Sequence, residues 1–505
     1  MKKVFFIFLL ILGLVGCSDK EEKGAKGEKA KKEQILRVAL NGKPKGVDPH
    51  MYSEVIGGIM SQQIFNSLVE IDENGNIIPE LAENWEFKDP TTLVFNLKKG
   101  VKFHNGDELK ASDVVFSINR MKNKPASMVM VEPISGAEAL DDYTVKISLS
   151  KPFSSILYNL AHPRTSILNE RSVKEQKDDL SIAGIGTGPF KLIEWGTGEQ
   201  IILESFKDHF QGAPKYDKLV VKTITENTAR AMALEAKDVD IAYTVAPIDL
   251  ENLKNNPDLV IVSKPVVLTE SITFNFDKEK FHNKALREAI AMAIDKKGII
   301  EAIYNGLAIE ANSPVSNVAF GYSDKVTGLP RDIEKAKQIV EENGLTGTKL
   351  KIITNDNPSR VQVAQIIQSN LKEIGLELEI EVVAWATYLQ DLANANFEMK
   401  LGGWSGGTGD SDNILFPLYH SSSAGAAGNH GRYKNPELDK YIEAGRATSD
   451  PVERKRNYEI AQQMIQDDIA CVPLYYSMDN MVMRKNIKNF KFRSTYFHVI
   501  KDIEF

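Results

Sequence analysis

Apolar positions divide the chain into one unbroken run near its start and a long body where short apolar runs alternate with helical stripes. The opening run extends from Val4 to Val15, behind Lys2 and Lys3. It is too short to cross a bilayer as a helix, which needs about 20 residues. In the body, apolar and β-branched clusters predict strands over residues 36–40, 93–97, 143–149, 201–206, 219–224, 259–264, 271–276, 349–354, 376–385, 397–402 and 472–477. Val363, Ile366, Ile367, Leu371 and Ile374 share one helix face, and Gly375 stops that helix. Leu286, Ile290, Ala293, Ile294 and Ile303 form a second stripe, read as one helix ending near Gly306. Strands and helices interleave with no internal repeat, so the fold class is α/β. Residues 285–468 read as one unit of alternating helices and strands, and residues 93–149 as a smaller β-rich lobe.

The apolar run with its cationic start has the form of an export signal. Leu14-Val15-Gly16-Cys17 matches the bacterial lipobox, in which the cysteine is acylated on sulfur and the chain is cut just before it. The competing reading is an ordinary signal peptide with Cys17 placed by chance. Residues 18–34 hold almost nothing apolar and predict a flexible tether. The remainder is long enough for two or three domains with real cores. A net charge of −7 argues against a nucleic-acid partner. The chain has two cysteines; with Cys17 lipidated, Cys471 stands alone in an apolar stretch and reads as a small buried hydrophobe. Stability then rests on core size rather than on disulfides. Eight scattered histidines, with no Cys-x-x-Cys and no His-Glu-x-x-His, give no dedicated metal cage and no cofactor signature.

Several long motifs occur in a fixed order. Leu81-Ala82-Glu83-Asn84-Trp85 precedes Val94-Phe95-Asn96-Leu97-Lys98-Lys99-Gly100-Val101-Lys102-Phe103-His104-Asn105-Gly106. Gly186-Thr187-Gly188-Pro189-Phe190 follows, then Asn283-Lys284-Ala285-Leu286-Arg287-Glu288-Ala289-Ile290 with Ala293-Ile294-Asp295-Lys296. Together they resemble the peptide- and nickel-type extracellular solute-binding proteins of ATP-binding-cassette (ABC) importers, over nearly the whole mature chain. The motifs themselves read as structural: Trp85 and Phe103 as core, Asn105-Gly106 as a tight hairpin turn, His104 as a surface or turn residue. The resemblance implies a two-lobed periplasmic-binding-protein fold with an extra β-rich subdomain, three domains in all. Its boundaries here would be a signal peptide over 1–16, a lipidated tether over 17–34, a first lobe from 35–68, 187–270 and 485–505, a β-rich subdomain over 69–186, and a second lobe over 271–484. Linkers near residues 268–274 and 476–483 would act as hinges that close the lobes on a ligand. The implied protein is an exported monomer, lipid-anchored and facing the periplasm or cell exterior. It would pass a short peptide to the permease subunits of an ABC transporter.

Residues 402–413 form a glycine-rich loop after a strand, with one large aromatic, Trp404. Glycines let backbone groups approach a ligand closely. The resemblance places Trp404, Ser405, Gly406, Gly407, Thr408 and Asp410 at the cleft. Dipeptide and oligopeptide binders of the family carry an aspartate three residues after the tryptophan, for the ligand's α-ammonium; this chain has Gly407 there. Asp410 and Asp412 are candidate substitutes, or serve only to order the loop, and the glycine-rich form is similar to that of glutathione binders. By resemblance Arg360 forks onto a ligand carboxylate; the alternative is a first-turn helix residue facing solvent. Tyr52, Ser53 and Glu54 resemble the family's first cleft-lining loop, where Glu54 would supply the missing negative charge.

An enzyme reading also exists. Gly403-Trp404-Ser405-Gly406-Gly407 matches the Gly-x-Ser-x-Gly nucleophile elbow, with Asp410, Asp439, His420, His430 and His498 downstream. An elbow runs at once into a helix, whereas no helical period follows here, so a hydrolase is disfavoured and no catalytic residue is assigned. Gly184-Ile185-Gly186-Thr187-Gly188 is followed by Pro189, which does not open a dinucleotide-binding helix. Metal-chelate, glutathione and heme ligands remain open within the same fold. The lipobox generates a direct test: Cys17→Ala moves the protein to the aqueous phase in detergent phase partitioning, and unchanged membrane retention refutes the anchor.

Overall fold

Eleven strands join into one mixed sheet in the computed structural model, which describes residues 33–52, 54–180, 184–196, 200–425 and 428–505. Its centre is a pair of long antiparallel strands, Leu259–Phe274 and Cys471–Arg484. On one side lie Met399–Ser405, Lys349–Asn355 and Glu377–Val383; on the other lie Ile241–Ala242, Ile35–Leu40, Lys218–Thr223, Gln200–Ser205 and Phe190–Trp195, while Ala308–Glu310 pairs with Cys471–Arg484 off this path. The runs at 259–264 and 271–276 are thus one strand, and the run at 472–477 is the first half of another. Lys264-Pro265 and Thr269-Glu270-Ser271 interrupt the apolar pattern because the strand passes there from one core to the next.

The register breaks at that passage. Pro265 faces Met478 and Thr269 faces Tyr476, leaving Val266, Val267 and Leu268 without partners on the long strand. Their backbone groups bond elsewhere, as buried polar groups must. Ser316 Oγ donates to the Val266 carbonyl (2.9 Å), Val267 N–H donates to the Ser494 carbonyl (3.0 Å), and Gly406 N–H donates to the Val267 carbonyl (3.0 Å).

Three large apolar cores follow from this layout. Ile272, Phe274, Val472 and Leu474 belong to a core with Leu286, Ile290, Ile352, Ile367, Leu371 and Leu401. Val266, Met481 and Met483 belong to a second, with Leu36, Ile64, Phe65, Leu203 and Leu219. The third, whose buried members all lie between Leu68 and Ile167, packs under a separate four-stranded antiparallel sheet and includes Phe95, Phe103, Val114 and Ile147.

The helix Pro358–Glu373 begins at Asn357, whose side chain accepts from Arg360 N–H, and stops before Gly375 at φ +81°. The stripe read as one helix to Ile303 is two, Lys284–Ala293 and Lys296–Tyr304. Ile294 is extended, and the Asp295 carboxylate caps the second helix by accepting from Gly298 N–H (2.9 Å). Both helices face one core, so the periodicity continues across the break.

Asn105-Gly106 forms the expected turn, with Gly106 at φ +90°. Phe103 is buried, and Trp85 is half-buried against Phe95. His104 is not a surface residue. Its backbone N–H donates to the Gly186 carbonyl (2.8 Å), its Nδ1 accepts from Gly186 N–H (3.3 Å), and its Nε2–H donates to the Gly188 carbonyl (2.9 Å). The Gly186-Thr187-Gly188 segment is glycine-rich for packing: a Cβ at Gly186 would lie 2.0 Å from the Ile64 carbonyl oxygen.

Burial pulls the His104 pKa down to about 4, outweighing the Gly188 bond. The unfolded chain takes up this proton near pH 6.5 and the folded chain only near pH 4, so stability is lost as pH falls through that window. His104→Gln, which keeps a donor, should reduce the drop in urea-unfolding free energy between pH 7 and 4.5 by about 2 kcal/mol. An unchanged pH profile would refute this role.

Candidate functional site

Met399–Ser405 lies antiparallel to the upper half of Leu259–Phe274, pairing Trp404 with Thr269 and Gly403 with Glu270. Gly403 is required by that pairing, since a Cβ there would sit 2.6 Å from Glu270 Oε1. The chain beyond Ser405 hooks onto the register break through Gly406 and then passes Phe320, where Phe320 N–H donates to the Gly409 carbonyl (2.8 Å). A helix follows at Asp412–Tyr419, sooner than the sequence pattern suggested, because Pro417 and the short length blur its period.

Asp410 is fully buried, and both its oxygens accept from Arg454 Nη2 (3.0 and 2.9 Å). It also accepts from Asp412 N–H (2.8 Å) and from Ser155 Oγ (3.4 Å). These bonds order the loop. Asp412 is buried as well, paired with Arg446 at 2.9 Å; burial raises its pKa to about 6, against the pull of Arg446. Thr408 is buried and its Oγ1 accepts from Asp410 N–H (3.4 Å). The Trp404 indole is half-buried and donates to the Asn413 carbonyl (2.9 Å). Gly406 is packed against Val267 and Ile414. Ser405 is exposed at the strand end. His420 reaches Glu443 (3.2 Å) and His498 reaches Asp479 (3.2 Å), so these two histidines of the elbow reading are engaged elsewhere.

Arg360 is not a solvent-facing first-turn residue. Its Nε and Nη2 donate to the two oxygens of Glu270 (3.2 and 2.6 Å), and Nη1 donates to Asn355 (2.9 Å). The fork that the resemblance assigns to a ligand carboxylate is held by a protein carboxylate in this structure. Glu270 opposes Tyr475, whose hydroxyl meets that of Tyr304 at 2.6 Å. Buried Lys400 stands in the same electrostatic neighbourhood; burial lowers its pKa to about 8, against the opposing effect of Glu270.

Tyr52 and Glu54 lie at the entrance to the helix Val55–Ile64. The Tyr52 ring covers Gly46, and Glu54 accepts from Lys45 N–H (3.3 Å). Ser53 and Cys17 lie outside the described residues. Cys471 is buried, accepts from Tyr419 Oη (3.1 Å), and has its thiol pushed up to about 11, chiefly by burial.

Of the loop residues, Gly407 alone lines a cavity of 30 Å³ between the loop and the rest of the molecule. Opposite it are His162, Glu70, Glu80, Asn66, Arg493 and Thr495, none of which the sequence pattern singled out. Glu270 carried a detectable signal, a charge in the middle of an apolar strand; His162 and Glu80 carried none. Among the described residues no group of histidine, cysteine and acidic side chains is arranged to hold a metal ion, and no helix is long and apolar enough to cross a membrane.

A mixed α/β chain with two main cores astride one bridging strand pair, plus a separate antiparallel sheet, has the architecture of a periplasmic binding protein. Residues 76–426 match the bacterial extracellular solute-binding proteins, family 5 Middle, and the chain belongs to this family of substrate-binding transport components. It is 30% identical over 481 residues to Heme-binding protein A of Haemophilus influenzae, covering 88% of each chain. It is 28% identical over 487 residues to the Dipeptide-binding protein of Escherichia coli, covering 89% of this chain and 90% of that one. The ABC transporter-associated periplasmic binding protein DppA from Helicobacter pylori, in complex with the peptide STSA, superposes with a TM-score of 0.80 at 28% identity, over 94% of this chain and 99% of that one.

The Glu270–Arg360 pair generates a stability prediction. Removing one partner of a largely buried pair strands the other charge, so Glu270→Gln and Arg360→Gln should each cost about 2–4 kcal/mol in urea unfolding. The double variant should cost less than the sum by about 1–3 kcal/mol. Strict additivity would show that the pair is not coupled.

Proposed function

We propose that this protein is the substrate-binding lipoprotein of an ABC importer that captures short peptides between its lobes and delivers them to the membrane permease. The observation that carries the reading is the meeting of the Gly406–Asp410 loop with His162 and Thr495 around a small polar cavity. The cavity has room for a terminal group of a ligand, so the rest of a peptide enters only when the two sides part. Segments near residues 268–274 and 476–483 would supply that motion, between lobes with the boundaries given above. The names of the Escherichia coli and Helicobacter pylori proteins support a peptide as the ligand. Cys17 would hold the protein at the membrane surface, and binding would involve no covalent chemistry.

Calorimetry with dialanine and tetra-alanine tests the reading. The expected result is binding by at least one, a smaller radius of gyration by small-angle scattering with ligand, and recovery of intact peptide. Peptide turnover, or covalent labelling of Ser405 by a fluorophosphonate, would favour a hydrolase instead. Binding only of glutathione or of a nickel–histidine chelate would replace the peptide assignment.

A further inference from the structure

The cavity facing Gly407 holds charges and donors that the protein leaves incompletely matched. Glu80 is partly buried; its oxygens accept from Asn66 Nδ2 (2.6 Å) and Ser67 N–H (2.8 Å). Glu70 beside it is paired with Arg493 through Nη2. The Nε–H of Arg493 is buried and has no acceptor among the described residues. His162 is 4% exposed, and its Nδ1 accepts from Arg164 N–H (3.1 Å). Burial and then Arg164 hold its pKa well below the usual value, so the ring is neutral and the proton sits on Nε2. That Nε2–H has no partner among the described residues and points at Gly407, where a Cβ would lie 3.3 Å away. Two donors therefore lack an oxygen, beside two carboxylates that share one cation.

We propose that Glu70 and Glu80 receive a ligand's α-ammonium in this cavity, while His162 Nε2–H and Arg493 Nε–H bond the oxygen next to it. The inference rests on the peptide reading and deepens it: the ammonium site lies opposite Gly407, on residues brought from the other side of the cleft. An α-ammonium adjacent to a carbonyl or carboxylate oxygen is the chemistry of a peptide's first residue and of a γ-glutamyl head group alike. Burial and the neighbouring Glu70 push the Glu80 pKa upward. An arriving ammonium relieves that cost, because a desolvated charge is stable only when paired. The cavity's 30 Å³ holds one or two water-sized groups, which suits an ammonium.

The test pairs ligand and protein changes in one cycle. Calorimetry is run on wild type, Glu80→Gln, Glu70→Gln and His162→Phe with tetra-alanine, N-acetyl-tetra-alanine and glutathione, with melting curves to verify folding. Wild type should lose at least about 30-fold in affinity on acetylation of the peptide. Glu80→Gln should bind the free peptide with a similar loss and be nearly indifferent to acetylation, and Glu70→Gln carries the same comparison if Glu80→Gln does not fold. His162→Phe should weaken both forms about fivefold, as expected for one hydrogen bond. Tight glutathione binding with the same dependence on Glu80 assigns the site to a γ-glutamyl head group and supports the proposal. Peptide binding in which acetylation costs wild type and both Glu variants equally overturns the ammonium site and leaves peptide binding intact. Failure of all three ligands to bind wild type overturns both.

Discussion

The break in register between Pro265 and Ser271 is the constraint on which the rest of the molecule depends. A continuous ladder would commit the facing backbone groups of the two long strands to each other. Here Val267 is freed to bond outward in both directions, by N–H to Ser494 and by C=O from Gly406. One residue thereby fixes the chain that carries Arg493 and Thr495 and the loop that carries Gly407. The two walls of the cavity share an origin, so their separation does not depend on long flexible side chains.

The charges around the break are arranged to hold the loop rather than to wait for a ligand. Asp410 accepts twice from Arg454, and Glu270 is bound by the fork of Arg360. Taking either carboxylate away would leave a buried cation, at a cost of several kcal/mol, roughly 3–5 for a fully buried pair. A ligand ammonium competing for Asp410 would have to overcome that loss. Gly407 offers no such obstacle, because its face of the loop meets the neutral His162 ring and a cavity.

The elements of the fold were legible because their signals are local. Alternation and helical spacing show a strand or helix from its own residues, and the family motifs lie in continuous stretches. What was not legible depends on distant partners. Arg360 and Glu270 are 90 residues apart, Arg493 and Glu70 are 423 apart, and no pattern near either end announces the other. The two strand fragments that proved to be one also illustrate this: Lys264-Pro265 and Glu270 look like interruptions until the bulge and Arg360 account for them. Glycines in the 402–413 loop were legible as close approaches, but Gly403 and Gly406 admit protein groups, and Gly407 alone faces the cavity.

Contacts between residues 153–155 and residues 446–454 bear on how the proposed two-lobed molecule would open. Ser154 N–H donates to the Arg446 carbonyl (2.8 Å), Arg454 Nη2 donates to Ser155 Oγ (2.7 Å), and the Arg446 guanidinium lies over Phe153 at 4.8 Å. Apart from that stacking, these are a backbone bond and a guanidinium–hydroxyl bond that water can replace, with net worths of about 1 and about 1.5–3 kcal/mol. With the boundaries proposed above, the ion pairs Asp410–Arg454 and Glu70–Arg493 would each stay on one side of an opening, whereas Glu270–Arg360 joins the two lobes at the proposed hinge near residues 268–274. An opening of the kind proposed that pivots about Glu270–Arg360 and leaves it intact therefore breaks only weak bonds among these. A ligand that brings even about 2–5 kcal/mol of differential contact to the closed form then dominates the equilibrium. On the proposed reading, closure would be decided by the ligand and not by the protein's own charges, which is what a transporter needs if it is to distinguish loaded from empty binding protein.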